Sequence, residues 1–417
     1  MPTAMSTSPR TASSPLLTLD EALSRLLDAV GPAGTPETVS KFDARGRVLA
    51  ADVHSNLDVP SADNTSMDGY AVRSADVPSA GAVLPVSQRI PAGTVGAPLA
   101  PGSAARIFTG ALIPAGADAV VMQEQCTALE GSVRFDTVPL PGQWIRRRGE
   151  DVRSGSVVLP AGTRLTPQAL GMAASVGAGT LSVAPRPRVA LFSTGDELAM
   201  PGEPLKPGAI YNSNRFTLRG LVESLGCACD DLGIVPDNLG ATRDALRRAA
   251  AGNDLIVTCG GVSVGEEDHL KPAVQAEGRL DLWQIAIKPG KPLAFGQVRR
   301  EAGAPAWFIG LPGNPVSSFV TFLLAVRPFL LKLQGATDLQ PRPTAMRADF
   351  DWLRPDRRRE FMRVRRNARG GLDLFANQSS GVLTSVVWGD GVIDNPPGQA
   401  IRAGETVQYL PFAELLS

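Results

Sequence analysis

Between residues 188 and 335 the sequence alternates between short apolar runs and helical patterns. RVALFST predicts a strand, and NSNRFTLRGLVESLG predicts a helix with Ser213 as its N-cap and Gly226 as its stop. Asn314 and Pro315 predict the start of a long apolar helix near the end of the block. Between them, TRDALRRAAAG continues the pattern as a helix, and the predicted strands are CACDDLGIV, DLIVTCGG, LDLWQIAIKP, PLAFGQV and AWFIGLP. Strands that alternate with helices favour an α/β fold with a mostly parallel sheet.

Polar loops follow the predicted strands of this block. They are STGDE, PDN, GGVSVGEED, IKPGKP and GLPGNP, all rich in glycine, proline, acids or lysine. In open α/β sheets the ligand binds beyond the carboxyl ends of the parallel strands, which lie at one edge. We therefore expect these loops to form one binding site.

The glycine-rich loop GGVSVGEED allows two interpretations. Gly261 to Gly265 match G-x-S-x-G, in which Ser263 would be the nucleophile of an α/β-hydrolase. That chemistry needs a histidine from a separate loop, and the only histidine after Ser263 is His269, close by in the chain. We therefore favour an anion cradle, in which Gly260, Gly261 and Gly265 admit backbone N–H groups to the ligand and Ser263 donates a hydrogen bond.

Charged residues in these loops indicate what the cradle binds. Glu266, Glu267 and Asp268 follow the glycines, and such carboxylates suit Mg²⁺, which bridges acids to substrate phosphates. Acids at a helix N-terminus also interact with the helix dipole, so both explanations stay open. Lys288 and Lys291 lie in a proline-flanked turn and suit an anion, with solvated surface lysines as the alternative. This turn is not a Walker A loop.

The segments around this block predict further domains. Residues 54–147 are rich in glycine, proline and β-branched residues and predict an inserted β-rich module. The flanking segments 16–53 and 148–187 carry the helical patterns TLDEALSRLLDAV and RLTPQALGMAASVG and predict a partly helical N-terminal domain. Residues 336–417 contain the predicted strands EFMRVRR, GLDLFA, LTSVVW and ETVQYL of a small C-terminal β domain. Residues 1–15 lack the apolar centre of a signal peptide and are expected to form a disordered tail.

Composition narrows the classes of partner. Lys plus Arg and Asp plus Glu are both 41, so no net charge attracts nucleic acid or a membrane surface. No apolar run approaches the roughly 18 residues of a membrane-spanning helix. The four cysteines form no C-x-x-C pair, and with two histidines they disfavour a zinc site. We expect a reduced, cytoplasmic protein with neither a nucleic-acid nor a membrane partner.

A series of motifs resembles the molybdopterin molybdenumtransferases, the bacterial MoeA proteins and the related domain of gephyrin. In chain order the motifs are SMDGYA, RIFTGA, AVVMQEQ, IRRRGED, ALFSTGDEL, GGVSVGE, IKPGKP and GLPGNPVS, and the resemblance runs from about residue 16 to the end. It implies a four-part subunit in an elongated homodimer. The parts are the central αβα molybdopterin-binding domain (188–335), a mixed α/β hinge and dimer domain (16–53 with 148–187), the inserted β module (54–147) and a C-terminal domain similar to a β-barrel (336–417).

The resemblance also implies an activity. Molybdate is inserted into adenylylated molybdopterin, the adenylyl bond is hydrolysed, AMP leaves, and Mg²⁺ assists. The family's functional acids fall on Asp68, Asp151, Glu197, Asp237 and Asp268, of which the last three are the expected Mg²⁺ ligands. The expected substrate-binding residues, including the glycine cradle, are Thr109, Arg146, Gly260, Gly261, Ser263, Gly265, Lys288, Lys291, Pro312, Pro315, Ser317, Arg363 and Ser380.

This sequence departs from the family's motifs at two positions. Many relatives have W-K-x-A-I-K-P-G-K-P where Gln284 here replaces the first lysine, and many have Y-D-S/T-N-R where Asn212 here replaces the acid. One cation and one acid are therefore missing, which predicts a shift in substrate affinity or metal binding. Two alternatives to the enzyme are a molybdopterin adenylyltransferase-like activity and a gephyrin-like scaffold without catalysis. Other cofactor-biosynthesis proteins and recipient molybdoenzymes are expected partners.

Overall fold

The structure, a computed structural model, describes residues 16–32, 34–261 and 269–416. The predicted tail and the loop residues Ser263, Gly265 and Asp268 lie outside the described residues. The chain forms several sheets rather than one, and the family-derived expectation of a multidomain α/β fold with a barrel-like C-terminal part is confirmed. The exact domain boundaries stay a prediction.

The segment before residue 188 contains a six-stranded sheet and three short strand pairs. In chain order its elements are α1 (Leu19–Ala29), β1 (Glu37–Ser40), β2 (Val53–His54), β3 (Asn64–Thr65), β4 (Gly69–Val72), β5 (Val83–Ile90), β6 (Ala104–Ile107), β7 (Ala119–Met122), β8 (Cys126–Leu129), β9 (Ser132–Phe135), β10 (Ile145–Arg146), β11 (Val157–Leu159), α2 (Pro167–Ser175) and β12 (Thr180–Val183). The sheet has the order β7-β4-β6-β5-β9-β8. The antiparallel pairs β1–β12, β2–β11 and β3–β10 join the chain before the sheet to the chain after it.

Helix α1 illustrates how local sequence fixes an element. Thr18 and Glu21 form a capping box: the Thr18 hydroxyl accepts a hydrogen bond from the Glu21 N–H at 3.2 Å, and the Glu21 carboxylate accepts one from the Thr18 N–H at 2.8 Å. Both bonds satisfy N–H groups that have no partner inside the helix. Leu19, Leu23 and Leu26 recur at helical spacing and are buried in the main core.

The central block forms a six-stranded sheet between helices. Its elements are β13 (Arg188–Thr194), β14 (Leu198–Ala199), β15 (Ile210–Tyr211), α3 (Ser213–Ser224), β16 (Ala228–Val235), α4 (Leu239–Gly252), β17 (Leu255–Cys259), α5 (Leu270–Glu277), β18 (Gly278–Gln284), β19 (Ile287–Lys288), β20 (Pro292–Val298), β21 (Ala306–Leu311), α6 (Pro315–Thr321) and α7 (Arg327–Leu333). The strand order is β16-β13-β17-β21-β20-β18. Strand β20 is antiparallel to both of its neighbours, while the other neighbouring pairs are parallel. Strand β18 therefore points the same way as β21, and the polar loops after the parallel-running strands meet at one edge.

One apolar helical segment corrects an expectation about membranes. A π-helical turn, Phe322–Val326, joins α6 to α7, and the resulting helix Pro315–Leu333 has 19 residues with a mean hydropathy of 1.6. Its length and composition would suffice to cross a membrane, so the expectation that no apolar run approaches that length is wrong. In the structure, 89% of its most apolar window is buried inside the protein. Its apolarity therefore reflects packing on the central sheet.

A small closed barrel follows the central block. Its elements are β22 (Thr344–Ala348), β23 (Arg359–Arg366), β24 (Gly371–Leu374), α8 (Thr384–Trp388), β25 (Gly391–Asn395), β26 (Thr406–Pro411) and α9 (Phe412–Leu415). The strands follow the order β23-β24-β22-β26-β25, and β25 pairs back with β23 to close the sheet. Strand β19 of the central block adds to β23 as a parallel neighbour, so the barrel is joined to the binding edge by backbone hydrogen bonds.

Three local predictions were wrong, and one was confirmed with a difference in detail. Asn212, not Ser213, is the N-cap of α3, because its side-chain oxygen accepts the Arg215 N–H at 3.1 Å. The confirmed prediction is that Asn314 is the N-cap of α6 and Pro315 its first residue, although the Asn314 side chain makes no capping hydrogen bond. LTSVVW contains the short helix α8 instead of a strand. LDLWQIAIKP is interrupted after Gln284, and its last part pairs with the barrel rather than with the central sheet.

Aromatic packing holds the apolar helix against the central sheet. The ring of Phe329 on α7 meets Phe295 and Trp307 edge-on, at centroid distances of 6.0 and 5.9 Å, and these two rings stack on each other at 5.4 Å. Phe329 has no exposed surface. This cluster therefore couples α7 to β20 and β21.

We expect Phe329→Ala to lower the free energy of unfolding by about 3–5 kcal/mol, because truncation leaves a cavity where the ring was packed. Phe216→Ala, at a half-exposed position on α3, is the matched control and should change stability by no more than about 0.5–1 kcal/mol. Urea unfolding followed by tryptophan fluorescence measures both. Equal destabilisation by the two variants would show that the aromatic cluster contributes no more to the free energy of unfolding than an exposed phenylalanine does.

Candidate functional site

A cavity of about 1070 Å³ opens at the carboxyl edge of the central sheet. Its walls come from the ends of β13, β17 and β21, from the turn 288–292 and from the barrel loop 378–381. The prediction that the polar loops converge at this edge is therefore confirmed for four of the five, since the PDN loop after β16 does not line the cavity. The volume is of the order expected for a small-molecule site.

Two glycines shape the floor of the cavity. Gly260 and Gly261 have φ angles of +93° and +66°, a region that side chains with a Cβ rarely adopt. A Cβ on Gly261 would lie 3.1 Å from both Thr194 Oγ1 and Leu270 Cβ. Glycine is thus required for the close approach of this loop to β13 and α5. The predicted cradle partners Ser263 and Gly265 lie outside the described residues.

Asn214 fixes two walls of the cavity to each other, and residue-level prediction from the sequence missed it. Its amide nitrogen donates to the Gly313 carbonyl at 2.7 Å and to the Cys259 sulfur at 2.8 Å. Burial raises the pKa of the Cys259 thiol, so this cysteine stays protonated and acts as a packing and hydrogen-bonding group. A sequence signal for Asn214 exists, because Asn214 belongs to the same N-S-N-R motif as Asn212, the position at which this sequence departs from its relatives.

The two predicted lysines have different environments. Lys288 Nζ lies 3.2 Å from Glu360 Oε1 and 3.5 Å from Asp356 Oδ2, so barrel carboxylates neutralise it. Glu360 is 2% exposed and also accepts hydrogen bonds from Trp352 and from the Asp356 N–H. Lys291 is exposed and lines the cavity, and its ammonium makes no ion pair with any described carboxylate. Of the two, Lys291 is the cation available to a ligand.

Arg363 lies behind the cavity wall and does not line the cavity. It is 1% exposed and donates to Ser385 Oγ at 3.0 Å and to the Ser379 carbonyl at 3.2 Å. No carboxylate in the described part of the chain pairs with it, and burial lowers the pKa of its guanidinium to about 10. It therefore remains charged at neutral pH. Arg363 holds the loop 378–381 in place and adds an unneutralised positive charge behind it.

The rigid loop and its neighbours occupy the predicted positions. Pro312 and Pro315 bound the loop that follows β21, and both line the cavity together with Ser317 and Ser380. The Ser380 carbonyl accepts the Val316 N–H at 3.0 Å, which ties the barrel loop to the start of α6. Ser317 is buried except for 4% of its surface. The structure thus brings these four residues together with Lys291.

The three predicted metal ligands do not form a described cluster. Glu197 lines the cavity and its carboxylate folds back over Gly195. Asp237 does not line the cavity; its backbone N–H meets the Asp196 carboxylate at 3.4 Å. Asp268 lies outside the described residues. Within the described ranges, no group of three His, Cys, Asp or Glu side chains is arranged to hold a metal ion.

The four predicted residues from the first part of the chain lie away from this cavity. Asp68 accepts hydrogen bonds from the Thr109 N–H and hydroxyl, both at 2.7 Å, and the backbone bond lowers the pKa of its carboxyl. Arg146 is exposed on β10, and Asp151 lines a separate surface pocket beside it. None of them lines the cavity at the central sheet. Within one chain, the structure therefore does not bring the predicted site residues into one place.

The two departures from the family motifs have different positions. Asn212 lines the cavity, caps α3, is 2% exposed and leaves its amide nitrogen without a hydrogen-bond partner. Gln284 ends β18 and does not line the cavity; its carbonyl accepts the Leu17 N–H at 2.8 Å. Only the departure at Asn212 changes a group at the cavity wall.

Comparisons with known proteins match almost the whole chain. Three family models match in succession: the MoeA N-terminal region (domain I and II) over residues 17–177, a probable molybdopterin binding domain over 190–332, and the MoeA C-terminal region (domain IV) over 345–412. The chain is 41% identical over 410 residues to a molybdopterin molybdenumtransferase of Haemophilus influenzae, covering 96% of this chain and 100% of that protein. It is 38% identical over 387 residues to molybdopterin molybdenumtransferase 2 of Mycobacterium tuberculosis, covering 89% and 94%.

A solved structure shows the same architecture. The molybdopterin biosynthesis MoeA protein from Pyrococcus horikoshii superimposes with a TM-score of 0.82 at 30% identity, covering 95% of this chain and 100% of that one. The similarity therefore extends over nearly the whole chain.

Replacing each lysine with methionine separates the two environments. We expect Lys288→Met to lower the free energy of unfolding by about 1–3 kcal/mol, because it leaves the buried Glu360 carboxylate without its cation. Lys291→Met should change stability by no more than about 0.5 kcal/mol, as is usual for an exposed side chain without partners. Denaturant midpoints of the two variants measure the difference. Equal stability of both variants would contradict a structural role for Lys288.

Proposed function

We propose that this chain, which belongs to the MoeA family of molybdopterin molybdenumtransferases, transfers molybdenum to molybdopterin in molybdenum cofactor biosynthesis. The observation that carries the proposal is the cavity at the carboxyl edge of the central sheet. The exposed Lys291 and the mostly buried Ser317 line it, and the barrel completes its wall. Molybdate is a tetrahedral dianion, so a cation and hydroxyl donors suit it. Family membership supplies the second substrate, molybdopterin.

The finer proposal concerns the form of the substrate. Molybdopterin enters as its adenylylated derivative, molybdate is inserted, water cleaves the phosphoanhydride bond, and AMP leaves. Gly260 and Gly261 carry no Cβ, so their backbone N–H groups can come close to a phosphate. Phosphoryl transfer of this kind depends mainly on positioning and charge stabilisation rather than on covalent catalysis. Residues of the chain that bind and orient the two anions therefore perform most of the catalytic work.

Arg363 takes part as a positioning residue in this proposal. It bonds to the backbone of the barrel loop and does not reach the cavity surface. Its unneutralised charge makes the potential at the loop more positive, because charges are screened little in a buried environment. Ser380 and Ser317 then present polar groups to the molybdate in a region already favourable to anions.

Mg²⁺ fits the described residues only in a restricted way. Mg²⁺ is often held by one or two carboxylates together with substrate phosphates. Among the described residues that line the cavity, Glu197 is the carboxylate that could bind Mg²⁺. Asp237 and Asp268 are the two further ligands that the family resemblance implies. When bound, Mg²⁺ would neutralise charge on the phosphoanhydride. Glu197 would orient it, and Lys291 would hold the molybdate beside it.

A homodimer explains the distant residues of the first part of the chain. Asp68, Thr109, Arg146 and Asp151 carry polar groups that match the family's functional positions but lie away from the cavity of their own chain. In a two-fold dimer the same surfaces are used twice, so the module of one subunit can complete the site of the other. We therefore propose two shared sites per dimer.

The protein's location and further partners remain part of the proposal. The four cysteines are free thiols, which suits the reducing cytoplasm. The dimer would receive adenylylated molybdopterin from the preceding biosynthetic enzyme and deliver its product to recipient molybdoenzymes. An adenylyltransferase-like activity is less well supported, because the barrel forms part of the cavity wall. A scaffold without catalysis does not account for the polar groups that converge on the cavity.

Molybdate-dependent release of AMP tests the activity. Purified protein incubated with adenylylated molybdopterin, Mg²⁺ and molybdate should release AMP and retain molybdenum on the pterin. Lys291→Met should raise the KM for molybdate by roughly tenfold to a hundredfold, the loss expected for a charge-assisted hydrogen bond of about 1.5–3 kcal/mol. Lys332→Met, at a partly exposed helical lysine away from the cavity, is the control. Absence of AMP release by the unaltered protein rules out the enzyme, whereas an unchanged KM rules out only the role of Lys291.

Mixed dimers test the shared site. Asp68→Ala and Glu197→Ala subunits with different tags are co-expressed, and the dimer carrying both tags is purified. If Asp68 serves the partner's cavity, one site collects both lesions and the other neither, and about half of the normal activity returns by two-fold symmetry. A dimer of one normal and one Asp68→Ala subunit gives the reference for a single intact site. Mixed-dimer activity no higher than that of either single variant would place Asp68 in the site of its own chain.

A further inference from the structure

A second cavity, of about 850 Å³, lies at the end of α3, whereas the candidate active site lies at its start. Three parts of the chain meet there. The first part contributes the turn 45–46 and the loop 162–167. The central block contributes the end of α3 and part of α7. The third contribution is the segment 336–340, which leads into the barrel. Its size suits a small molecule. Neither the motifs nor the family comparisons account for its composition.

Four arginines line this cavity without carboxylate partners. Arg45, Arg164, Arg186 and Arg327 form no ion pair with any carboxylate in the described ranges, although most other arginines around them do. Arg164 and Arg186 each donate to a backbone carbonyl at the end of α3, Ser224 and Gly226 respectively, at 3.4 Å. Each guanidinium carries five N–H donors, so most of these donors remain available.

The positive charges in this cavity repel one another. Arg327 is only 7% exposed, and its Nε has no hydrogen-bond partner. Burial lowers the pKa of both Arg164 and Arg327, and the charge of Arg164 lowers the pKa of Arg327 further. Buried charges without a counter-ion destabilise a protein, which makes such a cluster a place where an anion binds favourably.

The acids that face the cavity are engaged elsewhere. Glu223 pairs with Arg219 at 2.9 Å, and Asp338 pairs with Arg342 at 2.9 Å. Glu414 Oε1 accepts the Arg342 N–H, also at 2.9 Å. The charges of Glu414 and Asp338 raise the pKa of Arg327. Three acids and four arginines line the cavity, and two of these acids already pair with Arg219 and Arg342, so positive charge is in surplus there.

Capping of α3 explains only part of this arrangement. Cations near the last carbonyls of a helix stabilise it, and Arg164 and Arg186 serve that purpose. Arg45 makes no side-chain hydrogen bond to a described residue, and Arg327 donates to the carbonyls of Leu339 and Glu414 rather than to those at the end of α3. The cap thus requires two of the four guanidiniums.

We propose that this cavity binds a small molecule carrying a phosphate or a comparable dianionic oxyanion, held by Arg45, Arg164 and Arg186 with Arg327 behind them. Arginine suits this ligand class because its planar fork donates two parallel hydrogen bonds to an oxyanion. The site is separate from the proposed catalytic cavity. Its walls belong to three parts of the chain, so the bound anion stabilises their relative arrangement.

Isothermal titration calorimetry at constant ionic strength tests the site with three probes: inorganic phosphate, AMP and molybdate. Lys291→Gln weakens anion binding in the catalytic cavity, so binding that persists in this variant and falls when Arg45→Gln is added is assigned to the second cavity. Arg45→Gln should weaken that binding about tenfold or more by removing a charge-assisted hydrogen bond. Because Arg45 is exposed and its side chain makes no ion pair or hydrogen bond with a described residue, this variant should fold normally.

The controls separate the ligand classes and the two cavities. Arg164→Gln should weaken binding as well and should abolish the rise in Tm that the ligand produces, while Arg134→Gln on the β module should change neither. Preference for AMP over phosphate identifies an ester ligand, and equal binding identifies the bare oxyanion. Lack of saturable binding in Lys291→Gln, or equal binding by Arg45→Gln and the unaltered protein, overturns the proposal. Neither result would count against the proposed molybdenum-transfer activity, which is tested by AMP release.

Discussion

The common direction of the parallel strands in the central sheet is the constraint on which the candidate site depends. Since β13, β17, β18 and β21 all end at the same edge, the loops that follow them begin at that edge. Residues far apart in sequence therefore meet there. The single reversed strand, β20, lets the chain turn back through the loop that carries Lys291. The strand pair β19–β23 then fixes the barrel at that edge, so the barrel loop becomes part of the cavity wall.

The sequence predicted this edge well because hydrophobic periodicity and glycine-rich loops are local signals. The alternation of strands and helices, and the convergence of most of the loops, needed no knowledge of long-range contacts. Errors arose where a local pattern depended on distant partners. LTSVVW has a strand-like composition, yet it forms the helix α8, whose Trp388 packs on Phe375 and whose Ser385 accepts a hydrogen bond from Arg363. Ser213 and Asn212 are both good capping residues, and only the observed bond to Arg215 distinguishes them.

Site chemistry was predicted less completely than the fold, for the same reason. The sequence treated Lys288 and Lys291 alike, because nothing near them in the chain announces that Glu360 and Asp356 neutralise one of them. It likewise placed Arg363 in the oxyanion pocket, whereas the structure places it one layer behind, bonded to the loop backbone. A motif identifies the residue type that a site needs. Whether the side chain contacts the ligand or supports another group depends on the tertiary packing.

The departure at Asn212 is best understood through the charge of the cavity. Its Oδ1 accepts the Arg215 N–H, as a carboxylate oxygen at this position would, so the substitution preserves the start of α3. The amide nitrogen is buried without a partner, which costs about 1–3 kcal/mol relative to a satisfied group. Asparagine at position 212 also removes one negative charge from the cavity wall, compared with an acid at this position, and the cavity is proposed to bind two anions. Because repulsion between like charges is strong in a partly buried site, this change favours anion binding at the expense of local stability.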